Sequence, residues 1–297
     1  MQENRLLVFF RLIRFYQWSK NILIFLPLFL AHKFFEINNL NVLVQGFFAF
    51  SLCASSLYIA NDLIDINNDK TDVLKRNRPI TSKKISFFSA KLIMAALAFS
   101  GFVLALLINE KVFFYILFYL ILGLIYTFFL KKILFLDIIA LSFFFTFRIL
   151  FGAEIINISV SFWLLVFSIF FFFSFAVLKR YSELVMNLKK GHVSGRSYTK
   201  NDLPLLKIIG ISSGYLSVII FALYINSANV KELYPKYYYL ILVIPILLYW
   251  ISYYWFKVSR MQIKCDPIYF MIRDRVSYII IFLFIAVFYL ASGLVQW

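Results

Sequence analysis

Acidic residues are scarce in this sequence: 14 Asp and Glu in 297 positions, against 30 Lys and Arg. Cysteine and histidine are scarcer, at two each. Two cysteines, Cys53 in an apolar run and Cys265 in a polar one, make neither a disulfide framework nor a metal cluster. Nine Gly and six Pro exclude collagen-like and low-complexity classes. Charged residues are only 15% of the chain and hydrophobic ones 63%, where a soluble domain carries roughly 25% and about 45–50%. Disorder and a soluble α/β enzyme are both excluded by that balance, and a polytopic membrane protein remains.

What is present is a succession of apolar runs. Nine are long enough to be transmembrane candidates, near 21–35, 41–60, 85–108, 112–130, 133–151, 160–178, 205–225, 237–256 and 276–296. Aromatic residues crowd their ends, as in Tyr237-Tyr238-Tyr239, which suits interfacial belts. Residues 1–20 carry Arg5, Arg11 and Arg14 among apolar residues and read as an interfacial amphipathic helix rather than a cleavable signal.

The basic residues give an orientation. Segments on the N-terminal side of the spans (1–20, 61–84, 131–132, 179–204 and 257–275) hold 23 Lys and Arg; the opposite side holds four. By the positive-inside rule the N-terminus faces the cytoplasm and the C-terminus lies outside, in a cytoplasmic (inner) membrane. The charge of +16 thus has a topological cause, and no nucleic-acid partner is expected.

The densest polar feature follows the second apolar run: Asn61-Asp62-Leu63-Ile64-Asp65-Ile66-Asn67-Asn68-Asp69. On a helix Asp62, Asp65 and Asp69 fall on one face. Three carboxylates there need a positive partner. Mg2+, a hard ion that takes carboxylates plus substrate phosphates, suits them. The plainer reading pairs the acids with nearby Lys75, Arg76 and Arg78. That basic run beside metal-binding acids also suits a diphosphate, with Asn61 orienting a phosphate. Arg148 lies inside an apolar run, and Glu154 is its nearest acid. Neither His32 nor His192 is placed as a catalytic group.

This arrangement resembles the UbiA-type intramembrane prenyltransferase superfamily, with its Asn-Asp-x-x-Asp-x-x-x-Asp motif after the second of nine helices. Usual members have a second Asp-rich motif after the sixth helix. Here that region reads Lys179-Arg180-Tyr181-Ser182-Glu183-Leu184, and Glu183 and Asp202 are its only acids. The variant resembles the decaprenyl-phosphate phosphoribosyltransferase branch. Gln17-Trp18-Ser19-Lys20-Asn21, Lys179-Arg180-Tyr181-x-Glu183-Leu184, and Asp266-Pro267 with Asp274-Arg275 match its other segments in order. Asp72-Val73 departs from a His-Pro pair common there.

The resemblance implies one transmembrane domain over 1–297: nine helices around a central cavity open to the cytoplasm, with 61–84, 179–204 and 257–275 as cytoplasmic loops. It implies Mg2+ on Asp62, Asp65 and Asp69, 5-phosphoribosyl 1-diphosphate (PRPP) as donor and a polyprenyl phosphate as acceptor. Lys179, Arg180 and Tyr181 would meet a phosphate, with Lys179 within a helical turn of Glu183 for an ion pair. Gln17, Lys20 and Asn21 would meet the lipid phosphate, and Asn61, Lys75, Arg76, Arg78, Glu183, Asp266, Asp274 and Arg275 complete the substrate site. A prenyl transferase acting on a small acceptor, and a transporter or scaffold, are the alternatives. A homo-oligomer is compatible with the sequence.

Overall fold

The structure, a computed structural model, describes residues 4–33, 36–71, 75–187, 195–263 and 267–293. Asp266, Asp72, Val73, His192 and Cys265 lie outside the described residues. The described chain is all-helical. It runs through α1 (Arg5–Leu12), a 3₁₀ segment (Phe15–Phe25), α2 (Leu26–Leu30), α3 (Ile37–Ile64) and α4 (Ile66–Thr71). Next come α5 (Phe87–Ile108), α6 (Glu110–Phe128), α7 (Leu136–Ile155) and α8 (Phe162–Met186). Last are α9 (Leu203–Ile225), α10 (Ala228–Leu233), α11 (Val243–Ser259), α12 (Pro267–Met271) and α13 (Arg275–Ala291).

Among the described residues, seven helical stretches are long and apolar enough to cross a bilayer, those containing α3, α5, α6, α7, α8, α9 and α11. The chain is a multi-pass membrane protein. The expected nine differ at both ends. The run at 276–296 yields α13, 17 residues long. The run at 21–35 yields no long α-helix; its first half belongs to the 3₁₀ segment, 11 residues long, and five residues of α2 follow, with Pro27 in the first turn. A 3₁₀ helix rises about 2.0 Å per residue against 1.5 Å for an α-helix, so these two pieces reach about 30 Å, the thickness of a hydrocarbon core.

Helix starts follow local chemistry. Ser86, Asn109 and Ser161 each accept a hydrogen bond from the backbone N–H three residues on, at 3.0, 2.8 and 3.3 Å. Each side chain satisfies a donor that the first helical turn leaves without a partner. Thr199 and Asp202 form a reciprocal capping box before α9.

Contacts group the chain into two compact units. The first comprises Met1–Asp137, Phe147–Ser159 and Ser194–Arg196. In it α3 packs along α5, where Gly101 admits the α3 backbone; a Cβ there would stand 2.9 Å from the Ala49 carbonyl oxygen. Leu12, Ile59, Ile80 and Ala90 close a small core at the end of α3 that carries the acids. The second unit comprises Ile138–Thr146, Val160–Val193 and Ser197–Trp297. Here α8 packs on α9 and α11 around Phe171, Phe175, Tyr254 and Trp255. Small residues allow the approach, and hydroxyls tie it together. Ser174 Oγ donates to the Gly210 carbonyl at 2.6 Å and accepts from Trp255 Nε1 at 3.2 Å.

Candidate functional site

The acidic motif occupies the last turn of α3 and the first residues beyond it, all in the first unit. The helix bends at Asp65, whose backbone (φ −91°, ψ 9°) leaves the α region. Its N–H still donates to the Asn61 carbonyl at 2.9 Å, and the Asp69 N–H to the Asp65 carbonyl at 2.8 Å. The three carboxylates do not share one partner. Asp62 and Asp69 converge, both buried, while Asp65 turns aside.

Each carboxylate has a basic partner. Arg78 Nη1 donates to Asp62 Oδ1 at 2.9 Å and to Asp69 Oδ2 at 2.5 Å. Arg14 Nη2 donates to the same Asp62 oxygen. Lys131 Nζ reaches both oxygens of Asp65 at 2.6 Å and Asn61 Oδ1 at 3.4 Å. Arg78 is held by a tight turn. Its N–H donates to the Lys75 carbonyl at 3.0 Å, and Ser82 Oγ donates to the Arg78 carbonyl at 2.8 Å. Lys75 in that turn is half-buried, and Arg76 is exposed. The plainer sequence reading, acids paired with the following basic run, thus describes Arg78.

Arg14 and Lys131 were not singled out from sequence. Arg14 stands in the left-handed region (φ 51°, ψ 47°) between α1 and the 3₁₀ segment, a conformation that costs a non-glycine residue about 1–2 kcal/mol. Its only sequence signal was a basic residue before an apolar run. Burial works against its charge, but Asp62 and the Tyr16 and Tyr58 hydroxyls outweigh that, and its pKa is held above the ordinary value. Lys131 is buried in the turn after α6. Arg196 fixes this turn, donating to the Lys131 carbonyl at 3.3 Å and the Tyr126 hydroxyl at 3.0 Å, and pairing at 3.8 Å with the fully buried Asp137.

The donor set suits Mg2+. Asp62 and Asp69 are drawn to one cationic atom, Arg78 Nη1, which shows that both can address a single positive centre. Burial raises the Asp69 pKa, Arg78 beside it pulls the other way, and the net direction is upward. No group of three or more Asp, Glu, His or Cys side chains among the described residues forms a ready-made cage. In this structure Asp65 is engaged by Lys131, while Asp62 and Asp69 share Arg78. This arrangement remains compatible with Mg2+, which uses one or two carboxylates plus substrate phosphates. Losing Lys131 should release Asp65. Lys131→Gln is expected to lower turnover about 10–100-fold, as removal of an outer-shell partner does, and initial rates at saturating Mg2+ check this.

The motif at 17–21 is structural in part. Asn21 is buried; its Nδ2 donates to Ser51 Oγ at 2.8 Å, and its Oδ1 accepts from Arg148 Nε at 2.8 Å. Gln17 is buried too, and Lys20 half-buried. Arg148 thus has Asn21 as a partner, and Glu154 lies 3.8 Å from Lys111.

The other expected residues belong to the second unit. Arg180 is buried near the end of α8 and donates to Glu183 Oε2 at 2.6 Å. Lys179 lies beside it, and Tyr181 packs edge-on against Trp255. Asp274 precedes α13 and accepts from the Tyr253 and Tyr254 hydroxyls at 3.2 and 3.5 Å; Arg275 is exposed.

Seven long apolar helices among the described residues, with buried carboxylates and basic residues at one end of α3, define an integral membrane protein. The chain belongs to the UbiA prenyltransferase family, whose model matches residues 22–273, and it is thereby a transferase. Protein y4nM of Sinorhizobium fredii is 34% identical over 90% of this chain, which spans 52% of that protein's length. Nodulation protein NoeC of Azorhizobium caulinodans is 29% identical, covering 90% of this chain and 87% of that one. A decaprenyl-phosphate phosphoribosyltransferase of Mycolicibacterium smegmatis is 28% identical over 72% of this chain and 68% of its own. In fold, the chain is similar to a UbiA homolog from Archaeoglobus fulgidus solved with GPP and Mg2+ (TM-score 0.70, 18% identity, 94% of this chain and 99% of that one).

Proposed function

We propose that the protein transfers the 5-phosphoribosyl group of PRPP to a polyprenyl phosphate and releases pyrophosphate. The observation that carries this reading is the state of the acids in 179–204. That segment has two, Glu183 and Asp202. Glu183 accepts from Arg180, and Asp202 accepts from the Thr199 N–H at 2.8 Å in the cap of α9. Both are engaged by local contacts, so the segment offers cations rather than the second carboxylate motif of the usual prenyl diphosphate enzymes. The relative named as a decaprenyl-phosphate phosphoribosyltransferase supports the same branch.

In the proposed reaction an acceptor phosphate oxygen forms a bond to the ribose anomeric carbon, and the bond from that carbon to the diphosphate oxygen breaks. Mg2+, when bound at Asp62 and Asp69, would neutralise charge on the leaving diphosphate. Arg78, Lys75 and Arg76 would take the remaining phosphate charge. Lys131 balances Asp65 and keeps it from repelling the donor. By the sequence resemblance alone, Lys179, Arg180 and Tyr181 would meet a phosphate, of the donor or of the acceptor, and Asp274 and Arg275 follow them in sequence. Gln17 and Lys20 would receive the acceptor phosphate, whose chain stays in the bilayer. The acceptor is already anionic, which removes the need for a strong general base and agrees with a chain of two histidines. The 23-to-4 distribution of basic residues supports a cytoplasmic N-terminus, with the anionic donor arriving from that side.

Purified protein incubated with labelled PRPP and polyprenyl phosphates of several lengths should yield labelled lipid only when Mg2+ is supplied. Consumption of a prenyl diphosphate, with no label entering lipid from PRPP, would replace this reading with prenyl transfer.

A further inference from the structure

Arg148 is a guanidinium buried within a transmembrane helix, 3% exposed. Such a charge is costly at this depth, and packing alone would be better served by an apolar side chain. Its surroundings show what the charge contributes. The guanidinium lies 5.2 Å from the Phe50 ring centre and 5.9 Å from that of Tyr119, while Nε is aimed at Asn21 Oδ1. Asn21 passes the bond on to Ser51 of α3.

The helical periods match across these contacts. Trp18 and Asn21 are three apart, one turn of a 3₁₀ helix, so they share a face. Ser51 and Ser55 are four apart on α3 and also share a face. Trp18 Nε1 donates to Ser55 Oγ at 2.9 Å, and Ser55 Oγ donates to the Ile13 carbonyl at 2.8 Å. On the other side, Arg148 and Gly152 are four apart on α7. Gly152 lets α7 touch the 3₁₀ backbone itself: a Cβ there would stand 1.9 Å from the Ile24 carbonyl oxygen. The 3₁₀ segment is thus gripped by α3 and by the Phe147–Ile155 part of α7. Immediately before it, Arg14 holds its left-handed backbone and reaches Asp62.

We propose that Arg148 is a positioning residue: through Asn21 it fixes the 3₁₀ segment and so places Gln17 and Lys20 for the acceptor phosphate. The acceptor's identity rests on the proposed function; the grip on the segment does not.

The test uses the full chain in lipid nanodiscs, as wild type, Arg148→Gln, Arg148→Lys and Asn21→Leu. In Arg148→Gln, amide exchange should rise about tenfold or more across Phe15–Phe25 and stay unchanged in α9 and α11. Asn21→Leu should give a similar rise, and combining the two should add little. Arg148→Lys, which keeps a charged donor, should fall between wild type and Arg148→Gln. In the transferase assay, the KM for polyprenyl phosphate should rise about tenfold while that for PRPP stays within about twofold. Unchanged exchange in the segment, an equal rise in every helix, or a kcat loss with both KM values unchanged would overturn the proposal. A wild type that does not use PRPP would defeat the proposed function alone, and the exchange pattern would then decide the inference.

Discussion

Replacing Asp62 by asparagine is expected to lower turnover about 10²–10³-fold, the scale on which one preorganised charge-stabilising group acts. Asp62 is the junction of the acid–base cluster. Its buried Oδ1 receives both Arg14 and Arg78, and Arg78 joins it to Asp69. Asparagine keeps the shape and loses the charge. Arg14 would keep its strained backbone without its anion, and a divalent ion would have one carboxylate of the converging pair instead of two. Arg78 retains Asp69, so the stability loss should stay within about 1–3 kcal/mol, below the full cost of stranding a buried charge. Initial rates across a Mg2+ titration, alongside thermal unfolding in detergent, separate the two effects. Wild-type turnover in a folded Asp62→Asn protein would remove the metal role from this carboxylate.

Gly152→Ala is expected to be the most damaging single methyl in the first unit. By helix propensity alone, alanine should stabilise an α-helix interior by about 1 kcal/mol relative to glycine. Here the added Cβ would meet the Ile24 carbonyl oxygen at 1.9 Å, its carbon at 2.8 Å and Cα at 3.1 Å. These are backbone atoms and have no rotamer to escape into, so the 3₁₀ segment must move. A net loss of about 3 kcal/mol, the upper end for overpacking, and a rise in acceptor KM should follow. Gly46→Ala is the control. Its Cβ would meet Ile155 Cδ1 at 2.3 Å, the far end of a flexible side chain, and a smaller loss is expected. Chemical unfolding of both variants and the wild type in one detergent checks the order. Equal losses would mean that the closeness of α7 to Ile24 is not special.

The sequence shows where the apolar helices lie, because a membrane span needs a run of apolar residues whatever packs around it. It shows the acids for the opposite reason: in so acid-poor a chain, a cluster after a span stands out. Of their partners, Arg78 is legible in the basic run that follows, whereas Lys131 and Arg14 are not. Lys131 is 66 positions from Asp65 and Arg14 is 48 from Asp62, and only the tertiary fold brings them close. Nearness in sequence favours Glu154 for Arg148, whereas Asn21, 127 positions away, takes its Nε. The bend at Asp65 is also a tertiary result. Periodicity continues the helix through Asp69, whereas the structure gives one carboxylate to Lys131 and the other two to Arg78. The 3₁₀ segment escapes periodicity because its apolar run is short and its polar residues, Trp18 and Asn21, face serines on α3 rather than water.

A doubly labelled donor tests the direction of group transfer most directly. PRPP carrying one label in the ribose and another in the outer phosphate of the diphosphate would be given to the purified protein with Mg2+ and a polyprenyl phosphate. The ribose label should enter the lipid phase while the diphosphate label appears as pyrophosphate in equal amount. Both labels remaining together in the aqueous phase, while a prenyl diphosphate is consumed in parallel, would contradict transfer in that direction.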